Sequence, residues 1–531
     1  MPRGSLAVPL LVLLRLLSAA SALGQAAVSP NPPAAAAEPA PAARRIQADV
    51  RHLASDELKG RRAGTPEGEA AARFMADSYR KAGLLPGGEK GTYFQTFDFV
   101  DGVDLGPRNS LSTRGAGEVG RTWRLEEEFH PLDFSASGQA DGEVVFGGYG
   151  IVSTDLGWDD YAGIDVKGKV VLVLRTSPDG VDERSPFSPA MALRTKAALA
   201  RERGAKAVLF FAGPATRNLR ARLALPGTDA PFGDAGIVAV SVKRAVAEAL
   251  FATAGKSLEE AQRKIDTARR PASFSLARAK VSLATDVTPR KARTSNVIGV
   301  LPGRDVSANT EFVVVGAHYD HLGLGPRGSL DPDPAGKIHP GADDNASGAA
   351  ALLELARAFS LRRGDLRRSL LFVSFGAEEL GALGSTYFVK HATVAADRIV
   401  AMVNLDMVGR LRERKLDVHG IGTSPVWKPL VQKANRESRL KLSFHDGGFG
   451  LSDQTPFIAA GIPVLFLFTG LHAEYHRPED RAETIDSEGI ATITSFLAPV
   501  LRAILNDDAR PPFVRVAGER TAGPPGPARI F

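Results

Sequence analysis

The chain has 531 residues, of which 44% are hydrophobic and 24% charged, with a net charge of +6 and no cysteine. That length is too great for one ordinary core, so two domains are expected, and one can be inserted in the other. The mild charge is scattered, without a basic stripe or a nucleic-acid motif, which argues against a nucleic-acid partner. The lack of cysteine excludes disulfides, thiolate metal sites and cysteine nucleophiles, so any metal must be held by His, Asp and Glu.

In chain order, residues 1–22 read as a signal peptide. Arg3 gives a positive start, Leu6 to Leu17 an apolar run broken by Arg15, and Ala20-Ser21-Ala22 a small-x-small cleavage pattern. The run is too short and interrupted for a convincing transmembrane helix, and no other stretch reads as one. Export to the periplasm or the extracellular space, without stable membrane insertion, is the expectation. Residues 23–44 are rich in Ala and Pro and read as a linker.

Ile46, Val50, Leu53 and Leu58 then recur with helical spacing. Thr65-Pro66 is a helix start: a capping hydroxyl followed by Pro at the first helical position. Folded sequence is therefore expected from about residue 45, through the stretch 45–128. From 129 to 284, Gly-rich turns separate short β-type runs such as Lys169-Val-Val-Leu-Val-Leu174 and Ala205-Lys-Ala-Val-Leu-Phe-Phe211. This block shows no grouping of His with carboxylates and reads as a smaller β-rich α+β domain inserted in the first.

From 285 to 506 apolar strands alternate with helices. Strands are expected at Asn296 to Leu301, Glu311 to Gly316, Ser369 to Gly376, Ile399 to Leu405 and Pro463 to Phe468. Helices are expected at Ser347 to Phe359, Leu380 to Lys390, Pro425 to Arg436 and Ser487 to Leu505. The fold class is thus α/β, with a mixed, mostly parallel central sheet flanked by helices. Residues 507–531 read as a loose C-terminal tail.

Polar residues able to do chemistry fall just after these strands, where open α/β sheets form their sites. His318 and Asp320 follow one strand, and Glu378 and Glu379 the next. Asp406 ends a third, and Asp343 and Asp344 lie in a loop before a helix. His476 follows the last strand. Singly, each is better explained as a cap, a helix start or a surface residue. Jointly, carboxylates collected in one crevice need cations to neutralise them. Imidazole with carboxylate suits zinc.

The stretches His318-Tyr-Asp320, Gly341-Ala-Asp-Asp-Asn-Ala-Ser-Gly348, Glu378-Glu-Leu-Gly-Ala-Leu-Gly-Ser385, Asn404-Leu-Asp406 and Phe468-Thr-Gly-Leu-His-Ala-Glu-Tyr-His476 resemble, in order, the co-catalytic dizinc aminopeptidase family. Bacterial leucyl aminopeptidases typify it; glutamate carboxypeptidases and the transferrin receptor are relatives. The block 129–284 resembles the protease-associated domain that some members carry. The resemblance implies a zinc-exopeptidase fold and two zinc ions per chain. Asp343 would bridge the ions, His318 and Asp406 would complete one site, and Glu379 and His476 the other. Glu378 would be the general base, Asp320 would orient His318, and Tyr475 would steady the oxyanion. It also implies a non-proline cis bond after the bridging residue, at Asp343–Asp344. Gln454 departs from the Ser-Asp-His of many members. The substrates would be peptides or proteins. Alternatives are a carboxypeptidase or dipeptidase, with Arg410 or Arg412 reading a substrate carboxylate, and a metal-free, receptor-like binding module.

Overall fold

A computed structural model describes residues 41–516 except 116–119, 181–184, 188–189, 216–222, 224–234, 305–310, 363, 365 and 450–451. The expected signal peptide and the linker up to residue 40 lie outside the described residues.

The larger sheet has nine strands: β1 (Leu85–Pro86), β2 (Phe94–Leu105), β3 (Val287–Leu301), β4 (Phe312–His318), β5 (Ser369–Phe375), β6 (Ile399–Leu405), β7 (Lys415–His419), β8 (Lys441–His445) and β9 (Val464–Phe468). Their spatial order is β1-β3-β5-β4-β6-β9-β7-β8, with β2 also on β3. The central strands β5, β4, β6 and β9 run parallel. β1, β2 and β3 pair antiparallel on one side, and β7 turns antiparallel to β9 on the other. The expected α/β class with a mixed sheet is therefore observed. β5 and β6 are buried along their whole length, as strands covered on both faces must be.

Helix Pro66–Lys81 starts as expected: the Thr65 hydroxyl accepts from the Gly68 N–H at 3.1 Å, with Pro at the first turn. It packs on β3, while helices Gly348–Ser360 and Ser487–Asn506 join it in the main core. By length and composition Ser487–Asn506 could cross a membrane. Here its apolar face, including Ile493, Leu497, Val500 and Leu501, is buried in that core. The helix thus meets the length and composition of a span, contrary to the expectation from sequence, while packing as a core helix.

The second sheet has eight strands in the order Arg121–Trp123, Ser110–Arg114, Phe274–Thr285, Gly138–Phe146, Val170–Leu174, Ala207–Phe211, Val238–Val242, Phe129–Pro131. Four consecutive strands, from Gly138–Phe146 to Val238–Val242, run parallel and share their cores with helices Leu193–Glu202, Arg244–Thr253 and Leu258–Ala268. This unit is wider than the block 129–284, because Ser110–Arg114 pairs with Phe274–Thr285 from Arg114↔Lys280 to Ser110↔Ala284. The chain leaves the larger sheet along β2 and returns along β3, antiparallel from Leu105↔Val287 to Phe94↔Val297. Insertion at one place needs ends this close.

The start of the C-terminal tail is docked rather than loose. The Arg510 guanidinium meets Glu311 at 2.7 Å, and the Val514 N–H donates to the Thr423 carbonyl at 2.8 Å. Residues 517–531 lie outside the described residues.

Candidate metal centre

The C-terminal ends of β4, β5, β6 and β9 open into one crevice, as expected for parallel strands feeding loops on the same side. His318 is the last residue of β4. Its Nε2 lies 3.3 Å from Asp344 Oδ1, 3.3 Å from Asp406 Oδ1 and 3.9 Å from Glu378 Oε2. His476 Nε2 lies 3.0 Å from Asp344 Oδ2 and 3.3 Å from Glu379 Oε2. The two oxygens of Asp344 thus face two different pairs, each of one imidazole and one carboxylate.

This corrects the expectation for Asp343. Its Oδ1 accepts from the Gly409 N–H at 2.7 Å, and its Oδ2 lies 3.2 Å from His472 Nε2. Asp480 explains the exchange, because its carboxylate accepts from the N–H groups of both Asp343 and Asp344. With both amides held, the two side chains leave the loop in different directions, and the Asp344 side chain enters the crevice. The cis bond moves by the same single residue, to Asp344–Asn345. Asn345 holds that turn by donating to the Leu405 carbonyl and accepting from Gly348 N–H.

A second correction concerns Asp320. The group nearest His318 Nδ1 is the Asp320 backbone carbonyl, at 3.2 Å, while its carboxylate Oδ1 is 3.9 Å away. That carboxylate instead accepts from the Glu378 N–H at 3.0 Å. His476 Nδ1 is likewise 2.8 Å from the Gly328 carbonyl. A carbonyl beside Nδ1 accepts the N–H there and leaves Nε2 to face the carboxylates, the tautomer a metal ligand needs.

Three participants escaped sequence reading. His321 Nδ1 lies 2.6 Å from Glu379 Oε1, leaving Oε2 turned to His476. His318-Tyr-Asp-His321 placed two imidazoles in one loop, a signal that was available. Asp453 is fully buried among the carboxylates of the crevice, with Ser385 and His318 the neighbours that favour its charged form. Arg61 is fully buried and donates to the carbonyls of Leu53, Tyr319, Pro340 and Gly341, tying the His318 loop to the Asp344 loop. Gln454 accepts from Asn404 at 3.0 Å and donates to the Gly448 carbonyl at 2.7 Å, a bracing position away from the crevice.

The electrostatics follow from burial and crowding. Burial pushes the Glu378 carboxyl well above its usual range, and the charges of Asp453, Glu379 and Asp406 add to this. Burial also raises Asp320 to about 6 and Asp453 to about 7. For Glu379 burial is outweighed by His476 and His321, which bring it to about 2. His476 is itself raised to about 11, because Glu379 and Asp344 overcome the desolvation of its cation. The Tyr475 ring stacks on His476 at 3.9 Å, and burial beside these carboxylates pushes its phenol up.

The donors fit divalent cations. One nitrogen and two oxygens from His318, Asp344 and Glu379 lie within 4.8 Å of one another. His318 Nε2 and Asp406 Oδ1 are buried and make no hydrogen bond. Buried polar atoms left unpaired and converging are what an ion would satisfy.

Comparison with known proteins agrees. Residues 296–501 match the family described as Peptidase family M28, and residues 140–250 match the PA domain. Over residues 296–501 the chain is thus similar to the M28 peptidases, with the PA-domain match lying before that stretch. It is 25% identical over 471 residues to Aminopeptidase YwaD of Bacillus subtilis (strain 168), covering 87% of this chain and 85% of the relative. A probable leucine aminopeptidase of Trichophyton verrucosum is 27% identical over 206 residues, 37% of this chain and 54% of that protein. Among solved structures, the aminopeptidase from Aneurinibacillus sp. strain AM-1 has the same fold, with a TM-score of 0.55 at 24% identity, covering 88% of this chain and 94% of that one.

Proposed function

We propose that this chain is an exported aminopeptidase of the M28 kind that works with two zinc ions and releases N-terminal residues from peptides. The observation that carries the reading is the position of Asp344, whose two oxygens face separate His–carboxylate pairs. His318 and Asp406 would hold one ion and Glu379 and His476 the other, with Asp344 shared. Mixed imidazole and carboxylate donors favour zinc. Once bound, the ions would supply a water of pKa near 7 and polarise the scissile carbonyl.

The chain's own groups do the rest. Glu378 takes the water proton and passes it to the leaving amine. A carboxyl with raised proton affinity suits that exchange near neutral pH. Asp320 fixes Glu378 through its backbone N–H. Tyr475, braced on His476, offers its O–H to the developing oxyanion.

Arg410 speaks against the carboxypeptidase or dipeptidase alternative. Its guanidinium is buried, bonds Thr484 at 2.7 Å and lies 3.5 Å from Asp480, so it braces the loop rather than awaiting a substrate carboxylate. Relatives named as aminopeptidases support the preference. The complete donor set speaks against the metal-free binding module. Export rests on the N-terminal run Leu6 to Leu17 and Ala20-Ser21-Ala22, with the periplasm or extracellular space as destination.

The test pairs elemental analysis with hydrolysis of leucine p-nitroanilide and its N-acetyl form. Two zinc per chain and cleavage of the free-amine substrate alone are expected. Cleavage of neither, with zinc bound, would shift the assignment to the carboxypeptidase or dipeptidase reading. No zinc and no activity after adding zinc would leave the binding module.

A further inference from the structure

Away from the crevice, at the edge of the larger sheet, β7 and β8 pair in parallel with His419 directly beside His445 and Asp417 beside Ser443. Asp417 and His419 are two residues apart, so they share a face of the strand, and the pairing puts His445 on that face too. It is the face turned away from the main core, which takes Leu416 and Val418. The two imidazoles stack at 4.2 Å with their planes 13° apart. His445 Nε2 lies 3.5 Å from Asp417 Oδ1, and one donor atom from each of the three residues lies within 4.8 Å of the others.

We propose that Asp417, His419 and His445 form a further site for a divalent transition metal of the zinc, copper or nickel class. Two nitrogens at about 2.1 Å from a tetrahedral ion are about 3.4 Å apart, so closing the set requires the exposed His445 ring to turn out of its stack on His419 until both lone pairs meet at one point. Two imidazoles and one carboxylate leave positions open to water, and they select these metals over magnesium or calcium.

Two features support it. The strands fix the donors from two ladder positions, so assembling the set costs little backbone entropy. Phe466 and Phe468 of β9 flank His419, with ring centroids 5.3 and 6.4 Å away, and limit its rotation. Lys415 and Lys441 share this face at the other end of the strands, and Lys415 is drawn 2.8 Å from Glu413.

The experiment uses the full chain, loaded with zinc and dialysed against graded free zinc, with bound metal counted by elemental analysis. Wild type should hold one equivalent more than His445→Ala, and Asp417→Asn should weaken that equivalent by about tenfold or more. Both variants should keep wild-type peptidase activity. One equivalent of copper(II) should show coupling to two imidazole nitrogens by electron paramagnetic resonance, falling to one in His445→Ala. Equal zinc content and affinity in wild type and both variants would overturn the proposal. Because the readout is a difference between wild type and variant, it stands apart from whether the crevice holds two ions.

Discussion

Both sheets of this chain contain parallel strands followed by loops, yet their strand ends are finished in opposite ways. In the inserted sheet, cations seal the carbonyls. Lys196 donates to Leu174 and Thr176, and Arg244 donates to Ala212 and Gly213. Each charge meets two backbone oxygens at once. In the larger sheet the strand ends carry His318, Glu378, Glu379 and Asp406, which point at one another. Parallel topology offers the crevice in both regions, but only donors left facing each other make it a candidate centre.

The sharpest way to break that contrast is at the two adjacent aspartates. Asp344→Ala removes the carboxylate common to both pairs and should abolish zinc binding and lower kcat/KM by at least about 10⁴-fold. Asp343→Asn should cost only roughly 10–100-fold, because Asp343 acts through His472 and Gly409. Equal losses in the two variants would return Asp343 to the bridging role. Next in size is Glu378→Gln, expected to lower kcat by about 10²–10⁴-fold with zinc content unchanged. Loss of zinc in that variant would make Glu378 a ligand instead of a base.

The strand ends were legible because β5 and β6 are mostly apolar runs followed by acidic residues, and a run of that kind has one natural end. Inside the Gly341–Gly348 loop neither the period of a strand nor that of a helix applies, so the directions of Asp343 and Asp344 could not be read. They depend on Asp480, 137 residues away. Arg61 was hidden for the same reason, since its acceptor on Tyr319 is 258 residues distant. β7 and β8 are five-residue strands alternating polar and apolar residues in a basic stretch, too short to stand out from loop sequence.

Arg61 tests whether the crevice depends on its scaffold as the inserted strand ends depend on their cations. Its guanidinium is pushed down to about 10 by burial, against the pull of Asp344 and Asp320. Arg61→Ala strips the donors from several buried carbonyls and should cost about 3–5 kcal/mol in urea unfolding. Its loops carry His318 and Asp344, so zinc affinity should fall with stability. Lower stability with unchanged zinc affinity would separate the scaffold from the centre.

The smallest effect lies in the inserted region and concerns a buried acid with no part in the crevice. Asp160 accepts from the Ile151 N–H at 2.9 Å, and burial raises its carboxyl to about 6 despite that bond and the charge of Lys196. In the unfolded chain the same group titrates near 3.9. Between those values the folded state binds more protons than the unfolded one, so stability falls as pH rises from about 4 to about 6. Asp160→Asn keeps an oxygen for Ile151 and removes the titration. It should therefore melt above wild type at pH 8, by up to about 3 kcal/mol, and match it below pH 4. An equal gain at both pH values would mean that packing, not the buried charge, is what the substitution changes. A loss at pH 8 would mean that Lys196 depends on the Asp160 charge, and the two regions would then be alike in holding buried ions that need their partners.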